Sequence, residues 1–218
     1  MIFVNFKTYE KGTGAAALET VKILEEVSKS SGVKIIPVVQ PSDVAEITQA
    51  VSLEVWVQKI DPVEYGAHTG SIIPEAVVED GAMGTFLNHS EGKIDFETLA
   101  KAHDRAKEVD LKTLIFASDI VELENISSLT PNFVSYEPAE LIGSSTTSVT
   151  QAKPEIVKKA AEISRNAGIP LIVGAGVHSR EDVKKSLELG AVGVAVASDI
   201  MNATDPKKEL LDLVEGFK

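Results

Sequence analysis

The sequence has no cysteine among its 218 residues, and aromatic residues make up only 5% of it. The lack of cysteine excludes a disulfide framework, thiol catalysis and cysteine-ligated metal sites. No apolar run approaches the roughly 20 residues that a helix needs to span a bilayer, which argues against a membrane protein. Basic residues are scarce, because 21 Lys and Arg stand against 33 Asp and Glu, for a formal charge of −12. Since nucleic-acid binding needs a basic surface, we expect no nucleic-acid partner.

What the sequence does contain is an ordinary globular composition, with 44% apolar and 25% charged residues. Such a composition excludes a disordered chain. Met1 leads directly into a strand-like run, without the charged, apolar and small-residue pattern of a signal peptide. We therefore expect no secretory signal and a cytoplasmic location.

Short apolar runs rich in Val, Ile and Phe recur along the chain, and each predicts a β-strand. The eight runs are residues 2–4, 34–39, 53–58, 84–87, 113–116, 133–136, 171–173 and 193–196. Most of them lack strict alternation with polar residues, as expected of strands that are covered on both faces.

Amphipathic stretches separate these runs and predict helices. The helical patterns are residues 15–29, 43–50, 74–80, 96–109, 120–129, 156–167, a helix from Ser179 up to Gly190, and 206–214. Strict alternation of strands and helices indicates parallel strands joined by right-handed crossovers. Eight units favour a closed barrel over an open sheet of five or six strands. We therefore predict an α/β protein, a (β/α)8 barrel formed as a single domain by residues 1–218.

Polar side chains follow several of the predicted strands. In such barrels the chemistry lies on the loops after the C-terminal strand ends. Asn5 and Lys7 follow the first strand and, being two residues apart, point to the same side. His89 and Glu91 follow the fourth strand, and Glu137 follows the sixth. We expect these side chains to surround one barrel mouth.

Lys, His and Glu in a dry site suit proton transfer next to a carbonyl group. Small residues follow the last two strands, and their backbone N–H groups can approach a phosphate closely. These small residues include Gly176, Ala197 and Ser198. Each signal is common by itself, but their joint placement at the same end of the strands is much less expected by chance.

The other three histidines carry weaker signals. His68 lies in a glycine-flanked loop and suits a loop or subunit contact, while His178 stands at a helix entrance. We expect His103 on the solvated face of a helix. Without cysteine, and without His-x-His or His-x-x-x-His spacing, we expect no bound metal.

Motifs along almost the whole chain resemble, in order, those of the triosephosphate isomerase family. They are Asn5-Phe6-Lys7, Gln58, the Gly-Ala-His-Thr-Gly run at 66–70, Asn-His-Ser-Glu at 88–91, Tyr-Glu-Pro at 136–138, and Ile142-Gly143. The run at 137–143, the glycine loop at 174–176 and the short chain are similar to the archaeal branch of the family.

The resemblance implies a TIM barrel that interconverts dihydroxyacetone phosphate and D-glyceraldehyde 3-phosphate through an enediolate, in glycolysis and gluconeogenesis. It implies no cofactor, a triose phosphate as the substrate, and a homodimer or homotetramer. Glu137 would be the base, and His89 the electrophile that polarises the carbonyl. Lys7 would hold the substrate with Asn5 beside it, and Glu91 would support Lys7 or the lid. A Glu base with a neutral His is the known arrangement of this family and is implied by the resemblance alone.

The resemblance also implies a lid over the site, from residue 138 to about residue 147. Ile142 and Gly143 would lie in this lid and contact the substrate. The phosphate would lie among Gly176, Ala197 and Ser198.

Four positions depart from the family pattern. Residues 116–118 replace a segment that often contains cysteine, and Lys59 stands where other archaeal members have His. Asp199 stands where glycine is usual, and a carboxylate beside a phosphate is unfavourable unless it points away. The lid tip at 144–147 is Ser-Ser-Thr-Thr. Two alternatives stay open. The small-residue loops would equally serve a barrel that acts on a larger sugar phosphate, and the departures at the phosphate loops would fit a barrel that only binds.

Overall fold

The computed structural model of the chain describes residues 1–137 and 153–218. Within them, eight parallel strands pair in sequence order, and the last strand pairs with the first to close a barrel. The strands are β1 Ile2–Asn5, β2 Ile35–Val39, β3 Trp56–Val57, β4 Gly84–Leu87, β5 Lys112–Ala117, β6 Phe133–Tyr136, β7 Leu171–Val173 and β8 Gly193–Val196. The predicted (β/α)8 barrel is confirmed.

Helices connect the strands on the outside of the barrel. Those in the described residues are α1 Gly14–Ser31, α2 Val44–Ala50, α3 Pro74–Glu79, α4 Phe96–Glu108, α5 Ile120–Ser127, α6 Pro154–Asn166, α7 Arg180–Glu188, α8 Ser198–Met201 and α9 Pro206–Glu215. Short 3-10 helices occupy Glu10–Gly12, Pro41–Asp43 and Ser90–Gly92. None of the helices described here has the length and apolar character that crossing a membrane requires.

The third strand is shorter than the sequence predicts. The apolar run at 53–58 pairs with β2 only at Trp56 and Val57. The Glu54 side chain instead bonds polar groups around it, accepting from Lys34 at 2.5 Å and from Trp56 Nε1 at 2.9 Å. The four-residue helix α8 was not predicted, because so short a segment has no measurable helical period.

Helix α1 illustrates how the sequence sets these elements. Ala17, Val21, Leu24 and Val27 follow helical spacing, and all four are fully buried against the barrel. The helix ends at Gly32, whose φ of 73° is left-handed and whose N–H bonds the Ser28 carbonyl at 3.0 Å. Glycine takes this conformation without the steric penalty of a side chain, so it is a common helix terminator.

Among the described residues, two separate apolar cores hold the barrel. The interior core consists of Phe3, Ile36, Val38, Trp56, Phe86, Leu114, Phe116, Ile172 and Ala195. Alternate strand residues, such as Ile2 and Val4, face the outer core between barrel and helices. The rings of Phe3 and Trp56 meet edge to face at 5.0 Å. The interior is thus a packed core, and polar side chains collect at the C-terminal mouth.

The expectation for His103 was wrong, because the residue is buried on the core face of α4, where Leu99 and Ala106 are also buried. One ring nitrogen lies 2.9 Å from the Leu129 carbonyl, and the other lies 3.1 Å from the Thr113 hydroxyl. Burial lowers the pKa of His103. It is a satisfied core histidine, and its role is structural.

Candidate active site

A cavity of about 210 Å³ opens at the C-terminal ends of the strands. The sequence-predicted residues that line it are Asn5, Lys7, His89, Glu137, Gly176, Ala197 and Ser198. Glu91 reaches this site through its contact with Lys7. Ile142 and Gly143, predicted in the lid, lie outside the described residues. The barrel thus brings together side chains from β1, β4, β6, β7 and β8.

Lys7 is held from several sides. Its φ of +46° is left-handed, and its backbone N–H donates to Asn5 Oδ1 at 2.9 Å. Gln58 donates from Nε2 to the Lys7 carbonyl at 2.8 Å. The ammonium group lies 2.8 Å from Glu91 Oε1. Asn5 therefore uses its carbonyl oxygen to fix the turn that presents Lys7 to the cavity.

His89 is oriented by the 3-10 helix that follows it. The Glu91 N–H donates to Nδ1 at 3.2 Å, so Nδ1 is an acceptor and the proton of the neutral ring is on Nε2. Nε2 lies 4.0 Å from Glu137 Oε2. Burial, aided by the charges of Lys7 and Lys93, lowers the pKa of His89 to about 4. The ring is therefore neutral at physiological pH, and it presents an N–H towards the cavity.

Asn88 fixes the backbone just before His89, and sequence reasoning gave it no role of its own. Its φ of +58° is left-handed, a region that Asn enters more readily than most residues. Its amide donates to the Phe116 carbonyl at 2.9 Å and to Glu122 Oε1 at 2.7 Å. Lys93 Nζ lies 2.7 Å from the same Glu122 oxygen. The sequence signal for this support was the Asn that opens the Asn-His-Ser-Glu motif, because Asn tolerates left-handed turns.

Glu137 follows β6 and is 6% exposed. Burial raises its pKa to about 8, against the opposing effects of Lys7 and Lys93. The Ser90 hydroxyl faces this carboxylate without forming a well-aligned hydrogen bond. A carboxylate that is this poorly solvated is a much stronger base than one in water.

Gly174 makes room for the Glu137 side chain. β6 and β7 pair with Tyr136 opposite Val173, so the next residues of the two strands are neighbours. A Cβ at position 174 would lie 2.8 Å from Glu137 Cγ and 2.5 Å from Ser135 Oγ. A side chain there would displace the carboxylate.

The other part of the cavity lining consists of small residues. Gly176 is left-handed with φ 63°, and Ala197 precedes α8. Two titratable residues join them, although neither was predicted in the site. His178 Nδ1 lies 2.9 Å from Asp199 Oδ1, and both residues line the cavity. Asp199, a departure from the family pattern, is therefore paired.

The arrangement suits removal of a proton next to a carbonyl group: it combines a buried carboxylate, a neutral N–H donor and a fixed ammonium group. Within residues 1–137 and 153–218, no three His, Asp or Glu side chains are grouped to hold a metal ion.

Comparison with known proteins agrees with this chemistry. The family model described as triosephosphate isomerase matches residues 1–216. A triosephosphate isomerase of Methanothermus fervidus is 39% identical over 216 residues, which cover 98% of this chain and 97% of the relative. Similar relatives with the same name come from Methanobacterium bryantii, at 40% over 216 residues (98% and 95% covered), and Sulfurisphaera tokodaii, at 38% over 215 residues (98% and 93% covered).

Proposed function

The chain belongs to the triosephosphate isomerase family, and from this premise we propose that Glu137, His89 and Lys7 carry its reaction. That reaction is the interconversion of dihydroxyacetone phosphate and D-glyceraldehyde 3-phosphate. The observation that supports the assignment best is the 4.0 Å separation of Glu137 Oε2 and His89 Nε2, in a cavity that Lys7 also lines.

In the proposed reaction, the Glu137 carboxylate removes a proton from the carbon next to the carbonyl. The C–H electron pair becomes the C=C bond of an enediolate, and the carbonyl oxygen gains negative charge. Glu137 then returns the proton to the neighbouring carbon, so no cofactor is consumed. Burial supports this role because it raises the pKa of Glu137 to about 8, which reduces the energy gap to a carbon acid.

His89 and Lys7 stabilise the charge that develops on the substrate oxygens. His89 Nε2–H donates to the oxygen as a neutral group, and Lys7 contributes a permanent positive charge. Because these donors are already oriented, little reorganisation is needed in the transition state. Glu91 holds Lys7 at 2.8 Å, but its side chain is 57% exposed. Such an exposed ion pair contributes about 0–1 kcal/mol to stability, so Glu91 serves to position Lys7.

The phosphate group is assigned to the small residues after β7 and β8: Gly176, Ala197 and Ser198. Glycine and alanine leave the backbone N–H groups open to an anion. Asn5 lies beside Lys7 and completes the substrate contacts on that side. Ile142 and Gly143 are assigned to the lid on the family resemblance alone.

A coupled assay of glyceraldehyde 3-phosphate formation tests the proposal, and we expect turnover from the folded protein. Glu137→Asp withdraws the carboxylate by one methylene, so we expect kcat to fall by about 100-fold or more with little change in Tm. Glu124→Asp, on the exposed face of α5, is the matched control and is expected to keep full activity. Unchanged turnover in Glu137→Asp would show that another residue is the base.

The family resemblance also supports a homodimer or homotetramer in the cytoplasm. Large apolar side chains stand exposed at Tyr65, Phe96 and Val121, as expected where another subunit packs. Light scattering of the purified protein tests the oligomeric state, and cell fractionation tests the location. That residues 1–218 form a single domain stays a prediction, which one cooperative calorimetric transition would support.

A further inference from the structure

Two titratable side chains at the small-residue loops have no part in the proton transfer. His178 precedes Ser179, the N-cap of α7, and Asp199 lies in α8, 21 residues further along the chain. Their side chains meet at 2.9 Å, between His178 Nδ1 and Asp199 Oδ1. Because a carboxylate oxygen only accepts, the shared proton lies on Nδ1.

The other ring nitrogen of His178 is unsatisfied. Nε2 is buried, and it has no hydrogen-bond partner within the part of the chain that the structure describes. Buried polar atoms in native proteins almost always have a partner, so an orphaned atom calls for an explanation. Since His178 lines the substrate cavity, a ligand in that cavity is the natural partner for Nε2.

The balance of charges around the cavity also indicates His178 as a ligand for the phosphate. A phosphate monoester carries about −1.5 to −2 charges at pH 7. Of the described lysines and arginines, Lys7 alone lines this cavity, whereas Glu137 and Asp199 supply carboxyl groups. Burial keeps His89 neutral, with a pKa of about 4. His178 is therefore the described group that can add positive charge beside Asp199.

Two further titratable residues of the described part of the chain lie near His178: Asp182 and Tyr9. Asp182 accepts the His178 backbone N–H at 3.1 Å and the Ser179 hydroxyl at 2.9 Å. Tyr9 lines the cavity with its phenol ring. Asp199 is thus the carboxylate that acts on the ring.

We propose that His178, held by Asp199, binds the phosphate group of the substrate. When the phosphate enters, the ring takes up a proton from solvent on Nε2 and donates it in a hydrogen bond to a phosphate oxygen. Asp199 fixes the ring through Nδ1–H and stabilises the imidazolium. The carboxylate that would repel a phosphate thereby supports its binding. The inference rests on the proposed function, because it names a further residue for the same substrate.

His178→Gln tests the proposal, with Lys184→Gln on the exposed side of α7 as a matched control that removes a full positive charge. We expect His178→Gln to lower kcat/KM for glyceraldehyde 3-phosphate by about 10- to 100-fold, mainly through KM, as for a lost charge-assisted hydrogen bond. Deuterium exchange into unphosphorylated D-glyceraldehyde, followed by NMR, should stay unchanged. An equal loss with both substrates, or no loss with either, would overturn the proposal.

Asp199→Asn gives a second test, in which the direction of the change in affinity for 2-phosphoglycolate is decisive. If His178 binds phosphate through Asp199, the variant weakens the binding of 2-phosphoglycolate, measured by calorimetry. If Asp199 only repels the phosphate, the same variant tightens binding, and the proposal is wrong. This sign decides the matter even if His178→Gln does not fold.

Proton uptake provides an independent measurement. Calorimetry of 2-phosphoglycolate binding in buffers of different ionisation enthalpy counts the protons that are taken up. Wild type should take up more protons than His178→Gln, since any uptake by Glu137 or the phosphate is common to both proteins; equal counts would contradict the proposal. Wild type without turnover of triose phosphate would refute the proposed function instead, so the two failures are distinguishable.

Discussion

At the scale of single residues, burial acts on Glu137 and His89 in opposite directions. It raises the pKa of Glu137 to about 8 and lowers the pKa of His89 to about 4. Both shifts favour the uncharged form, because a poorly solvated site penalises a charge of either sign. The Glu137 carboxylate, our proposed base, is therefore strong when it ionises, and the His89 imidazole stays a neutral donor.

The pH dependence of kcat/KM follows from these values. As the proposed base, Glu137 must lose its proton to act, so we expect kcat/KM to rise with pH up to about 8. His89 titrates near 4 and the substrate phosphate near 6. Neither group therefore accounts for an ascending limb near pH 8 in the profile of kcat/KM. Lys93 lowers the pKa of Glu137, and Lys93→Gln should therefore move the limb to higher pH. A profile with no change near pH 8, or one that Lys93→Gln leaves unmoved, would contradict the assignment.

The raised pKa of Glu137 should also make the free energy of unfolding depend on pH. Between the ordinary carboxyl pKa of 4.5 and the folded value of about 8, the folded state holds a proton that the unfolded state has released. The free energy of unfolding therefore falls as pH rises through this window. Glu137→Gln has no carboxyl group at position 137 to titrate. In denaturant unfolding at pH 9, its free energy of unfolding should therefore exceed that of wild type by up to about 5 kcal/mol. At pH 4 the gain should vanish, and a difference independent of pH would argue against a raised pKa.

At the scale of elements, strand register decides which residues become neighbours in the site. The pairing of Tyr136 with Val173 sets Glu137 beside Gly174 at the ends of β6 and β7. The left-handed Asn88, anchored to Glu122 across 34 residues, turns the chain after β4 so that His89 enters the cavity. The placement of Glu137 and of His89 thus depends on the elements beside their own strands.

Gly174→Ala tests this dependence. The new Cβ would collide with the Glu137 side chain and the Ser135 hydroxyl, both of which can shift without unfolding the barrel. We expect kcat to fall by about 100-fold, since small misplacements of a catalytic group cost that much. KM and Tm should change little. A large fall in Tm together with the fall in kcat would indicate general damage to the fold instead of a displaced carboxylate.

At the scale of the whole molecule, the barrel closes around an aromatic interior. The Trp56 ring on β3 fills the space beside Gly84 on β4, with Trp56 paired to Gly84 across the sheet. A Cβ at Gly84 would lie 2.6 Å from Trp56 Cζ2. Because β3 has only two paired residues, the contact between Trp56 and Gly84 is one of the main contacts that close the barrel at β3.

Gly84→Ala should therefore destabilise the whole barrel. The overpacked ring and the strand cannot move apart without opening the sheet, so we expect a loss of about 3 kcal/mol in denaturant unfolding. Gly92→Ala is the control, because a Cβ at Gly92 meets open space and should change stability by under ~0.5 kcal/mol. Similar stability of the two variants would mean that the interior tolerates an extra methyl group.

The sequence alone determined the order of strands and helices, and hence the barrel, because hydrophobic periodicity and glycine and proline signals are local. The predicted bounds of β4, β6, β7 and β8 agree with the structure. Motifs were sufficient to bring Lys7, His89 and Glu137 into one hypothesis, and the structure has all three lining one cavity.

Only the tertiary structure decided how those side chains are tuned. The burial of His103, the opposite pKa shifts of Glu137 and His89, and the pairing of His178 with Asp199 depend on which faces meet across the fold. Local patterns carry no information about these contacts, since desolvation and charge pairing are set by distances between residues far apart in the chain. The barrel was therefore predictable from its repeats, whereas the electrostatics of its mouth required the closed structure.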